Sequence, residues 1–194
     1  MFEIFEANFC RDPIEGCSAT HEHWVPDIPG LGQFFAAYGG SSFADGLYRI
    51  IHPTELASWQ SRIQPAFPEF GQRLAFISYD WLGRVFALDS ERLEDGRAGV
   101  LMLECGTGEA LEIPCNLASF HEAELLEAAE AALAISFYKQ WRTAGGAAPA
   151  YNQCIGYQKP LFLGGTDTVE NLEVLDLDVY WHITGQLLQL TRSA

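Results

Sequence analysis

Basic residues are scarce in this sequence. Its 194 residues include 11 Lys and Arg against 26 Asp and Glu, which gives a formal net charge of −15. Because proteins bind nucleic acid largely by placing Lys and Arg against phosphates, we expect no direct contact with a nucleic-acid backbone. The acid excess indicates a basic partner instead. A solubility charge spread over a solvated surface explains the same number, and composition alone does not separate the two.

Paired cysteines, a secretion signal and a membrane-spanning run are also missing. The first ten residues, MFEIFEANFC, carry acids where a signal peptide carries positive charge. No apolar run reaches the roughly 18 residues that a membrane span needs. We therefore expect a soluble, cytoplasmic protein in a reducing compartment, with no membrane partner. The cysteines are odd in number and include no CxxC pair, which argues against a disulfide framework and a zinc ribbon: Cys10, Cys17, Cys105, Cys115 and Cys154.

Bulky apolar side chains, by contrast, are abundant. The chain is 48% hydrophobic and includes 13 Phe, 7 Tyr and 5 Trp, enough to fill the core of one compact domain. No internal repeat or low-complexity tract divides it. We expect residues 1–25 to form an N-terminal arm laid on the domain. Residues 26–194 should form a single α+β domain, in which an antiparallel sheet packs with a long amphipathic helix and a C-terminal helix.

The middle of the chain has the pattern of β-structure. Two short apolar runs, Leu74–Ser78 and Arg84–Leu88, are joined by a loop of moderate length and predict a hairpin. A second pair, Gly99–Glu104 and Ala110–Ile113, surrounds a glycine-rich turn. Gly46–Ile51 predicts another strand. We expect the two hairpins to share one antiparallel sheet.

Helical spacing appears on both sides of this region. Apolar residues between Leu31 and Tyr38 predict a short helix before a glycine pair. Ser119 followed three residues later by Glu122 has the spacing of a capping box. The apolar positions after it repeat at three or four residues as far as Trp141, which predicts one long amphipathic helix. A final helix is predicted from about Leu177 to Leu190.

Metal-ligating residues occur together near the N-terminus. Cys10, Cys17, His21 and His23 lie within fourteen residues, and thiolate with imidazole is a ligand set that zinc prefers. Their spacing differs from that of compact zinc modules, in which ligands come in pairs two to five residues apart. An ordinary solvent-facing loop is therefore favoured, and we expect no metal and no cofactor. A metal-dependent enzyme that uses these ligands is kept as an alternative.

No catalytic signature is present. The Cys105-Gly106-Thr107-Gly108 turn has a GxG, but no lysine follows it and glutamates flank it, so a hairpin turn is favoured over a phosphate loop. Paired acids, such as Asp176 with Asp178 or Asp80 with Asp89, are expected by chance in so acidic a chain. We expect no catalytic residues. The possible nucleophiles and bases, none of them in a recognisable local motif, are Cys154, Ser78, Ser119, His52, His121 and His182.

Several of these runs together resemble a known family. The sequence from Pro26 to about Leu190 resembles bacterial immunity proteins of the type VI secretion system, the family that neutralises a DNase effector. Separated motifs occur in the family's order, and the C-terminal stretch is the strongest. The runs are PDIPG from Pro26, YGG from Tyr38, FADGLYRI from Phe43, DWLGRVFALD from Asp80, KPLFLGGTDTVENLEV from Lys159 and VYWHITGQL from Val179.

The resemblance implies a binding protein rather than an enzyme. Such proteins inhibit a toxin made by the same or a neighbouring cell, have no catalytic residues of their own, and share a likeness in their N-terminal part with GAD-like and SUKH modules. A nuclease presents a basic DNA cleft, which an acidic partner can cover. We therefore expect a basic toxin of DNase type as partner, and the acids beside turns, Asp80, Asp167 and Glu170, as its contacts. A SUKH-like adaptor that binds a non-toxin protein is the alternative.

Overall fold

The computed structural model describes residues 2–13 and 25–192. The strands are β1 (Ser42–Phe43), β2 (Tyr48–Ile50), β3 (Leu74–Asp80), β4 (Val85–Glu94), β5 (Arg97–Glu104), β6 (Glu109–Asn116), β7 (Gln153–Tyr157) and β8 (Leu172–Asp176). The helices are α1 (Glu3–Asn8), α2 (Leu31–Tyr38), α3 (Leu56–Ile63), α4 (Leu117–Ser119), α5 (Leu125–Glu127), α6 (Ala129–Leu133), α7 (Ile135–Thr143) and α8 (Leu177–Arg192). Within these ranges no helix combines the length and the apolar character needed to cross a bilayer.

The strands form two antiparallel sheets. Strands β1 to β6 follow one another in a six-stranded meander, and β7 pairs with β8 in a separate hairpin. Both hairpins of the sequence prediction are confirmed, since β3 pairs with β4 and β5 pairs with β6 in the same sheet. The mixed α and β class, the short helix α2 and the C-terminal helix α8 are confirmed as well.

Both faces of the large sheet are covered. Along β4 and β5, Phe86 and Val100 belong to a cluster with α1, α2 and the segment after β6. Their neighbours Ala87 and Leu101 belong to a second cluster with α3 and α8. A strand buried on both faces has apolar residues at every position rather than at alternate ones. This burial accounts for the continuous apolar runs in the sequence.

The first thirteen residues contribute to the core rather than resting on it as an arm. Helix α1 brings Phe5 to full burial, and Phe2 and Phe9 are 3% and 6% exposed. Phe5 lies edge-on to Phe43 with ring centroids 4.9 Å apart. Three buried Phe side chains contribute roughly 2 kcal/mol each through their apolar area. The prediction underestimated this segment because its apolar positions are few and its helix has only six residues.

The long amphipathic helix of the prediction is wrong. The segment divides into α4, a π-helical turn at Phe120–Glu124, α5, α6 and α7. Ala134, between α6 and α7, has a left-handed backbone with φ 48° and ψ 47°. Arg84 Nη2 donates to the carbonyl of Ala132 at 3.0 Å and Trp81 Nε1 donates to that of Leu133 at 2.8 Å. Partners from elsewhere in the fold satisfy the carbonyls that a continuous helix would use.

The capping box is real but lies three residues earlier than predicted. Asn116 is the N-cap, and its Oδ1 accepts hydrogen bonds from the N–H groups of Ala118 and Ser119. Ser119 Oγ in turn accepts from the N–H of Asn116 at 2.9 Å. Ser119 therefore occupies the third helical position instead of the cap. Asn and Ser are both good partners in this motif, so spacing alone did not decide between them.

Candidate functional site

Asp80 is buried, which corrects its prediction as a surface acid. Its exposure is 0%, and it forms an ion pair with Arg84 in which Nη2 lies 2.6 Å from Oδ2. Oδ1 accepts from the N–H of Leu82 at 3.0 Å and from that of Arg84 at 2.9 Å. Burial raises the pKa of the Asp80 carboxyl, and the contacts with Arg84 oppose this rise. Asp80 thus closes the β3–β4 loop and does not reach a partner.

Arg49 joins the large sheet to the C-terminal part of the chain. Its side chain is fully buried, with Nη2 donating to the carbonyl of Asp80 at 2.6 Å. Nη1 donates to the carbonyls of Ala150, at 2.9 Å, and Gln153. The guanidinium also lies 4.6 Å from the centre of the Tyr79 ring. Arg49 therefore acts as a structural link, and several motif residues of the family resemblance serve the same junction.

Two tryptophans complete this junction. Trp81 is buried and donates to α6, as described above. Trp181, on α8, is also buried, and its Nε1 donates to the carbonyl of Gly83 at 2.9 Å. Buried indoles of this kind contribute both apolar area and a satisfied N–H. The motifs from Asp80 and Val179 thus meet in space, which the sequence order did not reveal.

The loop from Lys159 to Asn171, called the clamped loop below, carries the other two predicted contacts. Asn171 Nδ2 donates to the carbonyls of Lys159 and Thr166, both at 2.9 Å, and its Oδ1 accepts from the N–H of Lys159 at 3.0 Å. Gly165 fits under this side chain because a Cβ there would collide with the Lys159 carbonyl. The N–H groups of Gly164 and Gly165 bond back to Leu161 and Pro160 within the loop.

Asp167 and Glu170 are exposed on the clamped loop, as predicted. Tyr157 Oη donates to Asp167 Oδ1 at 2.7 Å, which orients that carboxylate. Hydrogen bonds from its own backbone N–H and from Thr168 hold the pKa of Glu170 below its usual range. Both side chains are therefore charged at neutral pH. Their role as partner contacts stays a prediction.

A groove of about 360 Å³ separates this loop from α6 and α7. Glu130 lies at its edge, where its Oε2 accepts from the N–H of Ser136 at 3.0 Å and caps the start of α7. This hydrogen bond lowers the pKa of Glu130. Sequence reasoning did not single out Glu130, because a capping role depends on the break at Ala134. The groove is lined by Glu130, Ser136, Phe137, Gln140, Asp167, Thr168, Val169 and Glu170.

Glu104 is a further acid that the sequence analysis missed. Burial raises its pKa to about 7, and the charges of Asp80, Asp167 and Glu109 act in the same direction, while Arg84 opposes them. It lies directly opposite Glu109 in the β5–β6 hairpin. Two glutamates at matched ends of a predicted hairpin were the available signal. Glu104 therefore changes charge near neutral pH, one layer below the clamped loop.

The candidate catalytic groups do not form an accessible site. Ser78 and His121 are brought together through Tyr48, whose Oη lies 2.6 Å from Ser78 Oγ and 2.9 Å from His121 Nε2. All three side chains are fully buried, as is Cys154. The Gly106–Gly108 turn joins β5 to β6, in agreement with its interpretation as a hairpin turn. This arrangement serves packing, since no substrate reaches it from solvent.

The proposed zinc ligands fall partly outside the described residues. Cys10 is exposed, while Cys17, His21 and His23 lie in the stretch for which no structure is described. Among the residues that are described, no group of three or more His, Cys, Asp or Glu side chains is placed to hold a metal ion.

Replacing Asn171 with Asp tests the clamped loop. Aspartate can accept from the Lys159 N–H but cannot donate to the carbonyls of Lys159 and Thr166, so their hydrogen bonds are lost. We expect a loss of about 1–3 kcal/mol in local stability, seen as faster hydrogen exchange at the amides of Gly164 and Gly165. Asn152→Asp, an exposed position, is the control for added charge. Unchanged exchange at both glycines would contradict the clamp.

Comparisons with known proteins agree with this fold. The crystal structure of Atu4351 from Agrobacterium tumefaciens is similar with a TM-score of 0.59, over 96% of this chain and 89% of that chain, at 18% identity. At that identity the likeness shows the fold alone. No curated protein matches the sequence. The resemblance stated from the sequence is confirmed for the C-terminal part: residues 116–188 match the family described as "T6SS immunity protein Tdi1, C-terminal".

Proposed function

We propose that this protein is a non-catalytic immunity protein that neutralises a basic toxin of DNase type by direct contact. The family matched by residues 116–188 suggests an immunity role against a toxin. The observation that supports a basic partner is the net charge of −15, with Asp167 and Glu170 exposed on a loop inside the matched segment. Hydrogen bonds hold this loop in place, so binding requires little ordering of the chain.

The use of the basic residues strengthens the charge argument. Arg49 and Arg84 are buried, and Arg62, Arg73 and Arg92 form ion pairs with acids of the same chain. Few cations are therefore left to attract an acidic partner or nucleic acid. A surface dominated by unpaired acids attracts a basic protein over a distance of about 8–10 Å at physiological salt.

The mechanism that follows is occlusion. A DNase must expose Lys and Arg to hold the DNA backbone, and an acidic protein bound there both covers the cleft and neutralises its charge. Steering by opposite charge raises the association rate, which matters because the inhibitor must capture the toxin before DNA is cut. No step in this mechanism needs a catalytic residue of the immunity protein.

Co-expression with the toxin gene that lies immediately upstream in the same genome tests the proposal. We expect growth to be restored and a complex of the two proteins to elute together in gel filtration. Unrelieved growth arrest together with the absence of a complex would contradict the proposed function. A pull-down that returns only housekeeping proteins would favour the adaptor alternative.

The role of the exposed acids is tested by Asp167→Asn with Glu170→Gln. Asn at 167 still accepts from Tyr157 Oη, and exposed positions of this kind usually change stability by within about 0.5 kcal/mol. We expect association with the toxin to slow by about threefold to tenfold at ~0.05 M salt, and the difference to shrink at ~0.5 M, while dissociation changes less. Stopped-flow mixing measures both rates.

Asp95→Asn with Glu69→Gln is the matched control. It removes the same charge from exposed sites outside the matched segment. If the two double variants slow association equally, only the total charge matters and the clamped loop has no special role. If neither changes the rate or its salt dependence, the acids are a solvated surface, and the contact has to be sought on the glutamates of the segment between Phe120 and Arg142.

A further inference from the structure

Helix α8 presents an apolar face to solvent. Val179, Ile183 and Leu190 are 51%, 52% and 68% exposed, although the opposite side of the helix packs against the large sheet through buried residues such as Trp181. The three side chains are four and seven residues apart and therefore lie on one side of the helix. They extend over about 16 Å of its length. We call Val179, Ile183 and Leu190 the α8 stripe.

Aligned aliphatic side chains of this kind mark interaction surfaces more often than scattered ones do. Among the described residues, seven large hydrophobic side chains are classed as exposed, and the α8 stripe accounts for three of them. The others, Ile4, Leu93, Leu111 and Leu163, come from four different elements. The stripe is thus an organised surface rather than the usual scatter of exposed apolar groups.

The charges around the stripe select its occupant. Asp176 and Asp178 are exposed where α8 begins, beside Val179. The nearby cations are already engaged: Arg62 pairs with Asp178, and Arg192 donates to the carbonyls of Ala66 and Gly108. A second copy of this chain would bring another −15 against this rim. A partner with aliphatic side chains bordered by Lys and Arg is complementary to both the stripe and the rim.

We propose that the α8 stripe is the apolar anchor of the toxin interface, and that it receives a basic amphipathic helix of the toxin. This inference rests on the proposed function and adds an apolar contact to it. Buried aliphatic anchors determine residence time, whereas exposed acids mainly determine the rate of encounter. The stripe lies largely within residues 116–188, the segment matched by the immunity family.

Val179→Ser with Ile183→Ser tests the anchor. Ser has nearly the helix propensity of Val and Ile, so α8 is retained and the melting temperature should be unchanged. We expect the complex with the purified toxin to weaken by about 100-fold, mostly through faster dissociation. Ile4→Ser with Leu93→Ser is the control, because these side chains are similarly exposed at 49% and 63% but lie elsewhere. It should bind like the parent.

The outcomes separate this inference from the proposed function. If the parent binds the toxin and the Val179/Ile183 variant binds as tightly, the anchor is refuted and the immunity role stands. If the parent does not bind the toxin, the proposed function fails and the named occupant fails with it. If light scattering shows a dimer of the parent that the variant cannot form, a second copy covers the stripe, which also overturns the inference.

Discussion

Replacing Asp80 with Asn is expected to lower the free energy of unfolding by about 3–5 kcal/mol, because it leaves the buried Arg84 guanidinium without its counter-charge. Arg84 is 7% exposed, and its Nε and Nη2 both contact Asp80 Oδ2 at 2.6 Å. The same carboxylate holds two backbone N–H groups of the β3–β4 loop. Denaturant unfolding followed by tryptophan fluorescence measures the loss.

A double-mutant cycle identifies the cause. With Arg84→Met added to Asp80→Asn, the buried charge is gone, and we expect the double variant to recover part of the stability lost in either single variant. Asp167→Asn, an exposed carboxylate, is the matched control and should stay within about 0.5 kcal/mol of the parent. An Asp80→Asn variant as stable as this control would contradict the structural role and return Asp80 to the candidate contacts.

Acidification should destabilise the protein through His121. Its ring is fully buried among Phe2, Phe5 and Phe34, and Nδ1 donates to the Leu117 carbonyl at 2.9 Å. Burial lowers its pKa from 6.5 to about 4. The unfolded chain therefore binds a proton that the folded chain does not, and stability falls as the pH drops from 6.5 toward 4. Full titration costs about 3 kcal/mol.

Glu104 works in the opposite direction, so the measurement needs a background without it. Its folded pKa of about 7 exceeds the ordinary 4.5, and stability therefore falls as the pH rises from 4.5 toward 7. In a Glu104→Gln background, we expect unfolding free energy to rise with pH between 4 and 6.5 and to lose this rise when His121→Gln is added. The same slope with and without His121 would assign the acid sensitivity to other groups.

Local patterns were sufficient for the sheet and for α8. Leu74–Ser78 and Arg84–Leu88 were recognised because strands are short and their turns have distinctive residues. Helix α8 was recognised because its buried positions repeat at helical spacing over sixteen residues. In each case the partner that buries the element is close in sequence, or the element is long enough to carry its own signal.

Contacts between distant segments account for the errors. The helix after β6 breaks at Ala134 because Trp81 and Arg84 take the carbonyls of Leu133 and Ala132 across about 50 residues. Asp80 was expected at the surface because a turn acid usually is exposed, and only the fold places Arg84 and Arg49 around it. Neither interaction leaves a trace in periodicity or spacing.

The sequence by itself determined the charge of the surface, the mixed α and β class, the strands of the large sheet and the family resemblance of the C-terminal part. These depend on composition and on neighbours within a few residues. Only the tertiary structure decided which acids face solvent, how Asn171 holds the clamped loop and that three aliphatic side chains of α8 remain uncovered. Exposure is a property of the folded chain, because a side chain is buried or free according to residues that may be a hundred positions away.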